Sequence, residues 1–341
     1  MEKKRHNVWY KVLVSAVILL AVMALSCCVG SVKIPVKDVI KAVTGYGEVS
    51  KATYTIVNKV RFPRICMASL VGGGLAMIGA VMQGLFKNPM ADPSILGISS
   101  GSAFGAAIVI VFDLNFIFHG FTGTYLGAMA GALLAWFLVY NIARISGEHD
   151  LNSTLLAGIA ISSVLSAIIT ILMTIHRESM EQVYLWMLGS FSNSTAQRTI
   201  YVAIVTAVCF VILIIMAPRI DILKLGREAA TGLGVSTSRT TGILLCVCSL
   251  LLAFCVANSG IIGFVGLIIP HCVGFMRVYK MRGKLIMCFL VGAVFTLLCD
   301  TLARTMIAPG EIAIGALTSL IGSPYFLYLM LKNLIRERRM R

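Results

Sequence analysis

The residues best suited to chemistry in this chain lie between Arg61 and Ser102. Arg61 and Arg64 flank a proline at the mouth of an apolar segment, and Asn88-Pro89 and Asp92-Pro93 interrupt it further on. Polar, helix-breaking backbone at membrane depth is tolerated only where protein covers it or where it lines a water-filled cavity. Asp92 is placed to cap the helix that follows, with Pro93 at its first position. The segment therefore reads as part of a translocation pathway broken at Asn88, Pro89, Asp92 and Pro93.

Catalytic chemistry is absent elsewhere. The chain has no GxxxxGK[ST] phosphate loop and no HExxH, and of its five histidines only His271 falls in an apolar run. Gly72-Gly73-Gly74 lacks the strand-turn-helix context of a nucleotide fingerprint. Asp300 is the one carboxylate deep in an apolar run, and a lone acid makes no proton relay. It is expected to pair with a nearby arginine or cap a break as readily as to serve transport. The ten cysteines pair poorly by spacing and read as small buried hydrophobes, so neither a metal site nor a cofactor is expected. The chain is thus not expected to be an enzyme or to hydrolyse ATP itself.

The elements that must position these residues are membrane helices. Hydrophobic residues make up 58% of the 341 and charged ones 13%, more apolar surface than a soluble domain of this length can hide. Runs near the 20 residues needed to cross a bilayer predict ten spans at roughly 11–30, 64–85, 94–112, 121–143, 153–175, 199–217, 240–257, 262–278, 285–303 and 311–331. The fold class is all-α and polytopic, one transmembrane domain over 1–341. With both termini cytoplasmic, the inner segments hold 19 of the 29 Lys and Arg, as the positive-inside rule requires of a cytoplasmic-membrane protein. The net charge of +15 then faces anionic lipid rather than nucleic acid. The basic, apolar start imitates a secretory signal but lacks a clean cleavage site, so a retained first span is expected.

Small residues recur every four positions at Gly72, Ala76, Ala80 and Gly84, at Gly123, Gly127, Gly131 and Ala135, and at Gly158, Ser162 and Ser166. Such ridges let helix backbones approach closely. Between spans six and seven, residues 219–239 hold a short amphipathic pattern closed by Gly232 and Gly234. A helix that short needs a packing partner, although a merely solvated connector fits the composition equally well.

The strings Arg61-Phe-Pro-Arg64, Asn88-Pro-Met-Ala-Asp-Pro93, Leu96-Gly-Ile-Ser-Ser-Gly101, Leu225-Gly-Arg227 with Leu233-Gly-Val235, Gly263 to His271, and Asp300 to Arg304 through Ile321-Gly-Ser-Pro324 resemble, in order, the FecCD-type permeases of ABC importers, which take up iron-siderophores, haem or cobalamin. The resemblance spans nearly the whole chain. It implies a type II importer permease that pairs with a second permease copy or close paralogue and binds two cytoplasmic ATPase subunits. An extracellular or periplasmic substrate-binding protein would deliver the substrate. It also implies that Leu225, Gly226, Arg227, Ala230, Leu233 and Gly234 couple to the ATPase, and that Arg61, Arg64 and Arg304 dock glutamates of the binding protein. The family's frequent arginine after Pro270-His271 is replaced by Gly274, and its usual Glu-Leu-Pro reads Glu311-Ile312-Ala313. The competing class is an ion-coupled secondary transporter or channel, which needs several embedded ionisable residues or breaks in corresponding halves.

Overall fold

The computed structural model describes residues 2–340 apart from 31, 33, 47, 115, 119 and 146–150. Helix α1 (Glu2–Cys28) is followed by α2 (Val36–Thr44) and α3 (Lys51–Thr55), and a π turn at Ile56–Arg61 leads into α4 (Phe62–Leu85). A 3-10 turn at Pro93–Leu96 precedes α5 (Ile98–Val111). A short antiparallel pair, β1 (Ile117–Phe118) and β2 (Phe121–Thr122), connects to α6 (Gly123–Ile145), α7 (Leu151–Ile175) and α8 (Met180–Leu188). Then come α9 (Ala196–Leu223), α10 (Arg227–Gly232), α11 (Thr237–Ser259), α12 (Val265–Phe275), α13 (Met281–Ala303) and α14 (Ile314–Met340).

Helices α1, α4, α5, α6, α7, α9 and α11 to α14 fall at the ten expected spans. Among the described residues, seven helices are long and apolar enough to cross a membrane. Helices α5 and α12, with 14 and 11 residues, are too short to cross a bilayer of about 20 helical residues alone. Each starts at a break inside the bundle rather than at its surface. The sequence patterning treated them as full spans because the irregular residues ahead of them are also apolar.

Helix α4 is the centre of the bundle. It is hydrophobic all round, the mark of a fully enclosed helix, and packs against α13, α12, α9 and α11. Glycine sets these approaches. Gly72 faces the backbone of Gly292 in α13, and Gly79 lies so close to the Gly266 carbonyl of α12 that a Cβ there would overlap it. Gly101 and Gly105 of α5 meet Gly131 and Gly127 of α6 in the same way. Gly72, Gly127 and Gly131 of the expected four-residue ridges are therefore helix contacts, whereas Gly123 and Gly158 meet loop and turn backbone at Leu114 and Ile95; Gly79, off the ridge, makes the tightest approach. By contrast α7 buries only Thr154, Ala157, Gly158 and Ile169.

Candidate functional site

One end of the bundle, where α1 and α13 finish and α4 begins, gathers the three singled-out arginines with two carboxylates. Arg64 donates from Nε to both Asp300 oxygens at 3.0 and 3.1 Å and from Nη2 to Oδ1 at 2.8 Å. Its Nη1 and Nη2 also reach Glu311 Oε1 and Oε2 at 2.8 and 2.9 Å. Asp300 is fully enclosed, whereas the Glu311 side chain keeps 34% of its surface exposed. Arg304 Nε lies 3.8 Å from Asp300 Oδ2 without a hydrogen bond. A buried pair broken on one side costs about 3–5 kcal/mol, because the remaining charge is left uncompensated.

Arg61 and Arg304 serve the end of α1. Helices leave their last four carbonyls unpaired, and here all four are satisfied: Leu25 by Val29 N–H at 3.1 Å, Ser26 by Arg304 Nη2 at 2.6 Å, Cys27 by Arg61 Nη1 at 2.6 Å and Cys28 by Ile34 N–H at 3.2 Å. Arg61 Nη2 also donates to Val32 O. Cations at a helix C-terminus are favoured by the macrodipole as well. Gly30 makes room for Arg61, since a Cβ there would stand 2.8 Å from Nη2. All three guanidinium groups are thus buried and engaged within the chain.

The chain leaves α4 at its other end, since 24 residues at 1.5 Å each span about 36 Å, and then turns back so that Pro93 stands beside Gly266 and the cavity that Leu75 lines. Beyond Leu85 the chain turns at Lys87, whose φ is 49°, and Asn88 Oδ1 accepts from Met90 N–H at 2.8 Å. Asn88 and Pro89 are exposed, whereas Pro93 is buried again. Asp92 Oδ1 accepts from Ser94 N–H at 2.8 Å. The expected cap is therefore there, but it caps the 3-10 turn at Pro93–Leu96; α5 begins only after Gly97 in a left-handed conformation. From Pro93 on, this irregular backbone is packed against protein. Pro93 abuts Gly266 and Gly158 abuts the Ile95 carbonyl. A cavity of about 320 Å³ beside it is lined by Leu75, Asp92, Ser94, Ser99, Val256 and Phe264, among others.

At the opposite end, α10 spans six residues between Gly226, with φ 117°, and Leu233. Ala230 is fully buried, while Leu225 and Leu233 are 67% and 60% exposed. Gly226 and Gly234 have positive φ and open space around them. The Arg227 side chain lies outside the described residues.

Sequence reasoning missed three of these features. In the sequence Glu311 stands only as part of a departure from the family's Glu-Leu-Pro, although a glutamate opening the last span is a visible signal. The capping of α1 by Arg61 and Arg304 had none. Phe264, at φ 67°, holds a left-handed conformation that bulky residues rarely adopt; it caps α12, lines the cavity and packs on Gly322.

The profile of the FecCD transport family matches residues 18–332. The cobalamin import system permease protein of Halobacterium salinarum is 37% identical over 86% of this chain and 76% of its own. The hemin transport system permease protein of Yersinia pestis is 37% identical over 84% and 86%. A solved structure assigned to the metal-chelate type of ABC transporter, in an inward-facing conformation, superposes with a TM-score of 0.82 at 30% identity, covering 94% of this chain and 98% of that one.

Proposed function

This chain belongs to the FecCD transport family of permeases, and we propose that it carries an iron chelate (siderophore or haem) or cobalamin inward across the cytoplasmic membrane as the permease of an ABC importer. Two ATPase subunits act through the 219–239 loop, where Leu225, Gly226, Arg227, Ala230, Leu233 and Gly234 form the coupling element. A second permease copy or close paralogue completes the pathway, and an external binding protein delivers the substrate. Both termini face the cytoplasm, so the arginine end lies outside; the excess of Lys and Arg in the inner segments supports this.

The observation that carries the reading is the inner part of the break at Asn88, Pro89, Asp92 and Pro93, from Asp92 onward. Irregular backbone inside a bundle of apolar helices, wrapped by α7 and α12 beside a cavity with an acid and two serines, has a purpose in a pathway and none in an inert anchor. Relatives that carry cobalamin and hemin at equal identity leave the cargo to the binding protein. The test is uptake of radiolabelled ferric citrate, haemin and cobalamin by cells with the chain deleted. Loss of one activity, restored by the wild-type chain and not by a Pro89→Ala, Pro93→Ala variant, supports the reading; unchanged uptake of all three contradicts it.

Docking of the binding protein on Arg61, Arg64 and Arg304 is supported by the fit of a planar guanidinium to carboxylates. Their burial sets the terms. Arg61 and Arg304 hold α1, so an incoming glutamate must compete with the half-exposed Glu311 for the fork of Arg64. Replacing Glu311 with Gln removes that competitor and is expected to tighten association of the binding protein with the purified permease complex. Weakened or unchanged association would count against competition at Arg64.

A further inference from the structure

A second site lies at the α10 end, in a groove of about 580 Å³ between the end of α6 and the start of α11. Its lining changes character with depth. Ser236 and Arg239 stand at the first turn of α11, and Ile243 and Cys246 line the same groove one and two turns deeper. Ten residues from Ser236 to Cys246 correspond to about 15 Å along the helix. The α6 wall carries Tyr140 above Trp136, their rings stacked at 5.6 Å.

The Arg239 guanidinium is exposed and makes no hydrogen bond or ion pair among the described residues, and Arg144, one turn beyond Tyr140, is likewise exposed. Leu133, Leu134 and Phe137, on the same helix as Trp136, are exposed as well, as a face turned to acyl chains should be. The groove thus offers unpaired positive charge at its mouth, aromatic rings of the kinds that anchor membrane proteins at the interface, and an apolar floor. Basic pockets between membrane helices suit anionic head groups.

We propose that this groove binds an anionic phospholipid, its phosphate at Arg239 and an acyl chain along Ile243 and Cys246. Charge complementarity at the mouth together with the apolar floor selects this occupant: the exposed Arg239 guanidinium meets a phosphate while Ile243 and Cys246 meet an acyl chain, and a soluble subunit docked at the 219–239 loop would reach the mouth but not the two turns below it. The orientation proposed above places the groove in the inner leaflet; binding itself does not depend on it.

The test uses the permease complex in nanodiscs of brominated phosphatidylglycerol or brominated phosphatidylcholine at equal fraction. Trp136 fluorescence is read as the difference between the wild type and Trp136→Phe. Phosphatidylglycerol is expected to quench at roughly fivefold lower fraction than phosphatidylcholine, the ratio that about 1 kcal/mol per surface arginine implies, and Arg239→Glu to abolish the difference. Arg239→Gln serves if the reversal fails to fold, whereas Arg282→Gln at another exposed arginine should change nothing. Equal quenching by both lipids, or a preference that survives Arg239→Glu, overturns the proposal. Quenching by neither lipid also overturns it, since that is what a protein cover produces.

Discussion

The arginine end and the α10 end solve opposite problems with similar residues. At the arginine end three cations are buried, and their partners come from within the chain: Asp300 and Glu311 for Arg64, the last carbonyls of α1 for Arg61 and Arg304. At the α10 end a six-residue helix anchors, among its described side chains, on Ala230, and Leu225 and Leu233 on either side are left in the open. Charge that looked like recognition is first of all structure. Exposed leucines flanking a helix too short to stand alone are the surface that the proposed ATPase contact would cover.

The contrast breaks most visibly at Arg64. Its replacement by Ala strands Asp300 and should cost about 3–5 kcal/mol in unfolding of the purified chain, whereas Glu228→Ala on exposed α10 should stay within about 0.5 kcal/mol. Equal effects would erase the distinction. A glycine pair sharpens it next. Gly79→Ala forces a Cβ into the Gly266 carbonyl and should cost about 1–3 kcal/mol. Gly232→Ala, with nothing within 4 Å, should be neutral or stabilising by up to about 1 kcal/mol. Between these regions sits the break, where Asp92→Ala removes one cap at about 1 kcal/mol; transport is expected to fall further than thermal stability, and a parallel fall of both would reduce Asp92 to a structural cap.

The helices were legible from sequence because a span must be apolar over a length set by the bilayer, and the break because two X-Pro pairs cannot continue a helix. The arginines were legible as residues but not as contacts. Arg64 meets Glu311 across 247 positions and Asp300 across 236, and no periodicity encodes such separations. Short α5 and α12 were overdrawn for a related reason: apolar residues such as Ile261 and Ile262 line the cavity as irregular backbone, and composition does not separate that from helix. At α10 Gly232 and Gly234 mark the C-terminal end in the sequence, while the outward aim of Leu225 and Leu233 depends on how Ala230 seats between α9 and α11.

The central claim is that the arginine end is held from within and the α10 end is completed by a partner. It is tested most directly by replacing Leu225 and Leu233 together with Ser, in a chain expressed with its ATPase subunit. The account predicts wild-type unfolding of the permease, loss of the ATPase from the affinity-purified complex and loss of ATP-driven uptake. ATPase retained at the wild-type level with both leucines gone would contradict it.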